Sequence, residues 1–422
     1  MSTERVVAVG AGQASAQFID ELRAQGFEGG LLLVGEEAHL PYQRPPLSKA
    51  FLAGVVDRDW LAYRPPEFYA RRGVELRLGR RAAAIDRAQQ TVLLDDGERV
   101  AYDRLLLATG ARPRCLAVPG ADLPGVAMLR GIADAEAIRA HLPTAADVAI
   151  IGGGFIGLEV AAILAVRGHA VTVIEAGPRV LGRAVAPEVS AFFAAAHRAR
   201  GVRIVENAQI AEISSTAGAL AVDCAGESVR ADLVVVGIGI EPETGLAEAA
   251  GLACRDGILV DERCRTRDPA ILAAGDCTRF DHPLLGRSVR LETVHNAVEQ
   301  GRTAAHSALG HELPYRQTPW VWSDQYGYRL QSVGDGFGYD STVLRGDPAE
   351  GRFSLCYFSG GQFLGLNAVN RPGDFAAARR ILDRGLSLAA SDAADLGFDL
   401  GRIAPKRLTH WFEREFGPSH AA

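Results

Sequence analysis

The chain of 422 residues holds only two lysines, Lys49 and Lys406, against a combined Lys and Arg count of 45. Arginine supplies the rest of the positive charge, a compositional bias that singles out Lys49. The six cysteines are Cys115, Cys224, Cys254, Cys264, Cys277 and Cys356, and none forms a C-x-x-C or C-x-x-x-x-C pair. Neither a redox dithiol nor a cysteine zinc site is indicated, and the cysteines read as scattered small buried hydrophobes. No apolar run is long and charge-free enough to span a bilayer, since residues 148–164 are interrupted by glycines and by Glu159. The start, Met1-Ser2-Thr3-Glu4-Arg5, runs almost directly into a first strand and leaves no room for a signal or transit peptide. There is no low-complexity segment. A net charge of -6 argues against a general nucleic-acid binder. The expectation is a soluble, cytoplasmic protein of two or three domains, a monomer or weak dimer, with neither nucleic acid nor membrane as partner.

Two glycine-rich turns are present instead. Gly10-Ala11-Gly12-Gln13-Ala14-Ser15 follows the apolar residues 6–9, and Gly152-Gly153-Gly154-Phe155-Ile156-Gly157 follows residues 148–151. Strand, glycine turn and helix together aim backbone N–H groups and a helix N-terminus at a pyrophosphate. Each such unit binds one dinucleotide, so two predict a tightly held FAD and an exchanging nicotinamide with hydride passing between them. Gly10 and Gly12 let the backbone approach the FAD pyrophosphate, and Glu36, after the second strand, is placed to accept from the adenosine ribose. Gly152, Gly154 and Gly157 cradle the NAD pyrophosphate. Glu175 ends the next strand, where a carboxylate accepts from a 2′-OH and repels a 2′-phosphate. Arg179 and Arg183 lie nearby, but the balance favours NADH.

Hydrophobic patterning predicts a βαβ unit over residues 5–35: strand 6–9, helix 13–25, strand 31–34. Residues 39–50 form a stiff proline turn leading into a helix. Further strands are expected at 105–108, 170–174, 233–236 and 271–274, with a helix over 155–167 stopped by Gly168. Beyond Trp320, alternating runs at 354–358 and 362–366 predict an antiparallel sheet, then a helix near 374–384. The fold class is α/β: two Rossmann-like dinucleotide-binding domains of glutathione-reductase type plus a C-terminal α+β domain. FAD is assigned to 1–116 with 244–319, NAD to 117–243, and the last domain to 320–422.

The chain resembles, over essentially its whole length, the FAD-dependent ferredoxin reductases of bacterial P450 and ring-dioxygenase systems. The resemblance rests on Leu40-Pro41-Tyr42-Gln43-Arg44-Pro45-Pro46-Leu47-Ser48-Lys49, Leu106-Leu107-Ala108-Thr109-Gly110-Ala111-Arg112-Pro113, residues 152–159, Gly275-Asp276-Cys277, Asn296-Ala297-Val298-Glu299-Gln300 and Pro319-Trp320-Val321-Trp322-Ser323-Asp324-Gln325. The chain departs from the pattern at Ser15, where a third glycine is common, and in the tail Leu408-Thr409-His410-Trp411-Phe412. The resemblance implies that Asp276 holds the FAD ribitol chain and that a helix starting near Val294 points its positive end at the flavin pyrimidine oxygen. It implies further FAD contacts at Ala14, Arg44, Pro45, Ala82, Thr109, Gly110, Arg130 and Trp320, and NAD contacts at Ile156, Glu159, Arg183 and Gly239. Lys49 and Glu159 are implied to pair at the flavin N5 region, with Trp320 stacked beside the nicotinamide; these three form the implied catalytic set.

No cysteine lies where disulfide- or peroxide-reducing relatives need one. The implied activity is therefore passage of electrons from NADH through FAD to a [2Fe–2S] ferredoxin, with no metal of the protein's own. A rubredoxin or monodehydroascorbate-type reductase, or an NADH-responsive signalling flavoprotein, is the alternative expectation.

Overall fold

In a computed structural model of the chain, residues 4–405 are described, apart from 217 and 225. Lys406 and the tail 408–412 lie outside the described residues. Contacts divide the chain into one unit ending at Tyr328 and a second beginning at Arg329.

The first unit holds two parallel five-stranded sheets. In one, Arg5–Val9 lies between Gly30–Gly35 and Arg104–Leu107, with Val74–Leu78 and Ile271–Ala273 at the edges. The chain therefore returns, after a long excursion, to complete its first sheet. In the other, Asp147–Ile151 lies between Ala170–Ile174 and Leu233–Val236, with Arg203–Val205 and Val126–Met128 outside them. Both central strands are almost wholly apolar, as strands covered on both faces must be. Small three-stranded antiparallel sheets sit beside each, for instance Ala82–Asp86, Thr91–Leu94 and Arg99–Ala101.

The two central helices differ in surroundings. Gln13–Ala24 buries Ala14, Phe18, Ile19 and Leu22 on one side only. Phe155–Val166 is apolar except for Glu159 and is buried nearly all round. The proline segment forms a single 3₁₀ turn, Pro45–Ser48, rather than the start of an α-helix, and Lys49 follows it. The strand Trp320–Gln325 packs within the first unit, against the helices Phe155–Val166 and Val294–Ala308.

In the second unit, residues 329–334 of the strand Tyr328–Gly334, then Gln362–Val369, Arg352–Ser359 and Ser341–Asp347, lie side by side as antiparallel strands in that spatial order. The helix Pro372–Asp383 buries Phe375, Ala378 and Ile381. Among the described residues, no helix is long and apolar enough to cross a membrane.

Candidate active site

Both glycine turns open onto one cleft of about 2020 Å³. A single small-molecule pocket usually spans roughly 300–1,000 Å³, so this one has room for two large ligands. The turns repeat each other closely. Gly10 N donates to Val34 O over 2.8 Å, and Gly152 N to Ile174 O over 2.8 Å. Each of these glycines has φ +106, and an added Cβ would lie 2.1 Å from Ala108 O or 2.3 Å from Gly237 O. No other residue fits there. At Gly12 and Gly154, the N-caps of the two helices, a Cβ would meet nothing within 4 Å. Neither N-cap carries a side-chain hydrogen bond, and neither first turn carries an acidic residue. Free N–H groups and the positive helix end thus face open space, as a pyrophosphate requires. The residues present fit two dinucleotides.

Nearly every residue expected in the site lines this cleft. On the first side these are Gly10, Gly12, Ala14, Glu36, Arg44, Pro45, Lys49, Ala82, Thr109, Gly110, Arg130, Asp276 and Val294. On the second they are Gly152, Gly154, Ile156, Glu159, Glu175, Arg183 and Gly239. Two depart from expectation. Gly157 does not line the cleft; its Cβ would sit 2.1 Å from Gly152 O, so its absence of side chain serves packing of the turn. Trp320 does not line it either. Its ring packs between His295, at 5.4 Å, and Trp322, at 5.5 Å, and it is Trp322 with Val321 that faces the cleft. Strand alternation turns Trp320 and Trp322 to one side, and the helix start at His295 covers the first of them.

The expected Lys49–Glu159 pair is formed. Lys49 Nζ lies 2.6 Å from Glu159 Oε2, with the Glu159 side chain 4% and the Lys49 side chain 22% exposed. Ser48 Oγ donates to the same oxygen over 2.5 Å, and Ser323 Oγ to Oε1 over 2.6 Å. A buried carboxylate held by one cation and two hydroxyls is compensated for its lost hydration.

Glu175 is also anchored. Oε2 accepts from Gly153 N and Oε1 from Gly177 N, each over 2.7 Å. Arg179 turns back onto the carbonyls of Val185, at 2.8 Å, and Gly182, at 3.1 Å.

A second polar cluster lies beside Arg44 and was not foreseen. Arg44 Nη2 is 2.6 Å from Glu37 Oε1, and Nη1 donates to the Tyr42 hydroxyl over 2.9 Å and to Arg130 O over 2.8 Å. Tyr42 donates to Glu37 Oε2 over 2.6 Å. Burial raises the Glu37 carboxyl, but Arg44 and the Tyr42 hydroxyl outweigh it and hold the group below its usual range. Glu36, by contrast, is exposed. The adjacent acidic pair was visible in sequence; which member turns to Arg44 was not. Asp276 lies 3.6 Å from Arg130 Nη2, and burial pushes its carboxyl up against the pull of Arg130 and Arg44.

Comparison with known proteins identifies the family. The family model described as pyridine nucleotide-disulphide oxidoreductase matches residues 4–301, and that described as reductase C-terminal matches residues 320–404. Rhodocoxin reductase from Rhodococcus erythropolis is 43% identical over 96% of this chain and 96% of its own length. The crystal structure of the ferredoxin reductase for the CYP199A2 system from Rhodopseudomonas palustris is 41% identical, with TM-score 0.93, covering 95% of this chain and 100% of that one. The reductase of the covalent putidaredoxin reductase–putidaredoxin complex is 40% identical, with TM-score 0.91, covering 96% and 98%. The chain belongs to the pyridine nucleotide-disulphide oxidoreductase family and carries the reductase C-terminal domain.

Proposed function

We propose that the protein is an NADH-dependent ferredoxin reductase, passing electrons through FAD to a [2Fe–2S] ferredoxin that supplies a cytochrome P450 or an aromatic-ring dioxygenase. FAD, when bound, accepts one hydride, that is two electrons, and releases those two electrons singly. The turn at Gly10 with Arg44, Asp276 and Val294 would hold it, within residues 1–116 and 244–319. The turn at Gly152, within 117–243, would hold NADH, and residues 320–422 would complete the protein. Lys49 and Glu159 would keep a fixed charge pair where the two cofactors meet.

The carrying observation is that pair, together with the make-up of the cleft around it. Among the described residues all six cysteines are free and none lines the cleft. A disulfide route out of the flavin therefore has no residues to use, which leaves direct transfer to a one-electron carrier. Free thiols also fit a reducing compartment, and we place the protein in the cytoplasm. The anchored Glu175, with Arg179 folded onto carbonyls, supports NADH over NADPH.

The test is stopped-flow reoxidation of NADH-reduced protein by a panel of [2Fe–2S] ferredoxins, a rubredoxin, a disulfide and dioxygen. A ferredoxin should react fastest, and more efficiently at low salt, because exposed charges are screened beyond about 10 Å at 0.1 M. Faster turnover with the disulfide or with dioxygen than with every ferredoxin would overturn the reading; a faster rubredoxin would move it to the rubredoxin-reductase alternative.

A further inference from the structure

The Lys49–Glu159 pair is one end of a longer chain of hydrogen bonds. Ser323 Oγ donates to Glu159 Oε1, and Gln325 Nε2 lies 3.0 Å from Ser323 Oγ. Gln325 Oε1 is 2.9 Å from His197 Nε2. The Tyr326 hydroxyl is 3.2 Å from His197 Nδ1. Glu159, Ser323, Gln325 and His197 are all buried.

The directions of these bonds fix one another. Ser323 has one proton, and the carboxylate takes it, so the serine oxygen accepts from the Gln325 amide. The Gln325 carbonyl oxygen then needs a donor, which only a proton on His197 Nε2 supplies. His197 Nδ1 is left to accept from Tyr326. Every bond points from Tyr326 toward Glu159. The pattern requires a neutral imidazole, and burial, with Arg200 adding to it, holds His197 below its usual range. The Arg200 guanidinium lies 4.2 Å from the centre of the Tyr326 ring and closes the far end.

We infer that Ser323, Gln325 and His197 are positioning residues, which hold the Glu159 carboxylate on Lys49 through a one-directional hydrogen-bond chain and thereby set how fast NADH reduces the flavin. None of the three lines the cleft, so their effect must pass through Glu159. Glu159 Oε2 already takes Lys49 and Ser48; Ser323 is the donor that stops Oε1 from turning away. Chains of this kind strengthen one another in a low-dielectric interior. The inference rests on the flavin–nicotinamide reading of the cleft.

Two measurements on the full-length protein test it. Nitrogen-15 histidine NMR should show His197 at pH 7 as the neutral tautomer protonated on Nε2. An Nδ1-protonated or imidazolium His197 overturns the chain whatever the cleft binds. Single-turnover flavin reduction by NADH is then compared across variants. Ser323→Ala should slow it about tenfold, the scale of one lost hydrogen bond to a charged group, and His197→Phe, which removes the donor to the neutral Gln325 amide, several-fold, with the KM for NADH little changed. His197→Gln places an amide donor where Nε2 stood and should restore most of the rate. In a Lys49→Ala background, Ser323→Ala should have no further effect. Equal losses in His197→Phe and His197→Gln, or additive losses in the Lys49→Ala background, overturn the positioning role. A wild-type protein whose flavin NADH does not reduce removes the proposed function and this inference together, while the tautomer still reports whether the chain exists.

Discussion

The two glycine turns solve one geometric problem in two ways. Both place a left-handed glycine under the end of a neighbouring strand, at Gly10 and Gly152, and both open an uncapped helix toward the cleft. They part at the third position. The second turn uses Gly157, whose own Cβ would strike Gly152 O. The first carries the buried Ser15, and the close approach moves to another helix. At Gly301, in Val294–Ala308, a Cβ would lie 2.5 Å from Ala14 O and 3.2 Å from Gln17 Cβ. The first helix thus packs against a partner helix through the partner's glycine, whereas the second packs onto its own turn. The lesson is that a missing motif glycine need not mean a looser site; the small residue can stand on the opposing surface.

The sharpest way to break this comparison is Gly157→Ala. The methyl meets backbone, which cannot swing aside, and the expected loss is about 3 kcal/mol, at the upper end for overpacking. It should appear in thermal unfolding and as a raised KM for NADH, with FAD retained. The counterpart, Gly301→Ala, should cost about 2 kcal/mol, because the clash with Ala14 O outweighs the roughly 1 kcal/mol that alanine gains over glycine in a helix. It should lower FAD content after purification and leave nicotinamide discrimination alone. If both variants weaken the same cofactor, the two turns are not independent sites. Glu175→Ala removes the acceptor of two backbone N–H groups and, on the proposed reading, the charge that would meet a 2′-phosphate. The preference for NADH over NADPH, measured as a ratio of kcat/KM values, should fall by about 1–2 kcal/mol. The smallest effect belongs to Ser15→Gly. Glycine in a helix costs roughly 0.5–1 kcal/mol, while the Ser15 hydroxyl, buried with no hydrogen-bond partner among the described residues, has little to lose. Denaturant titration should show a change under about 1 kcal/mol with FAD content unaltered.

Much of this comparison was legible in the sequence. Ala170–Ile174 and Leu233–Val236 have the predicted bounds, because short apolar runs ended by Glu175 and Gly237 leave little freedom. The Lys49–Glu159 meeting, between residues 110 apart, came from family resemblance rather than from any local pattern. The rest depended on facts that only tertiary packing supplies. His197 looks like any histidine near a helix end until Gln325 is placed beside it. Trp320 and Trp322 share a strand face, and only the start of the helix at Val294 decides which is covered. Glu36 and Glu37 are chemically alike; Arg44, brought back by the proline turn, selects between them. Gly301 lies in no motif, and its role exists only where two helices cross.

The interrupted first sheet has a consequence for synthesis. All five strands of the second sheet lie between residues 126 and 236, so that module has its complete strand set while the first still lacks Ile271–Ala273 and the helix bearing Gly301. At about 5–20 residues per second on the ribosome, the gap is several seconds. The half of the molecule that starts the polypeptide therefore finishes after the half inserted into it, and the apolar face of Gln13–Ala24 waits for its covering helix through that interval. A chain stopped before Gly301 would carry a complete second sheet beside an incomplete first one, a nascent state that invites chaperone capture.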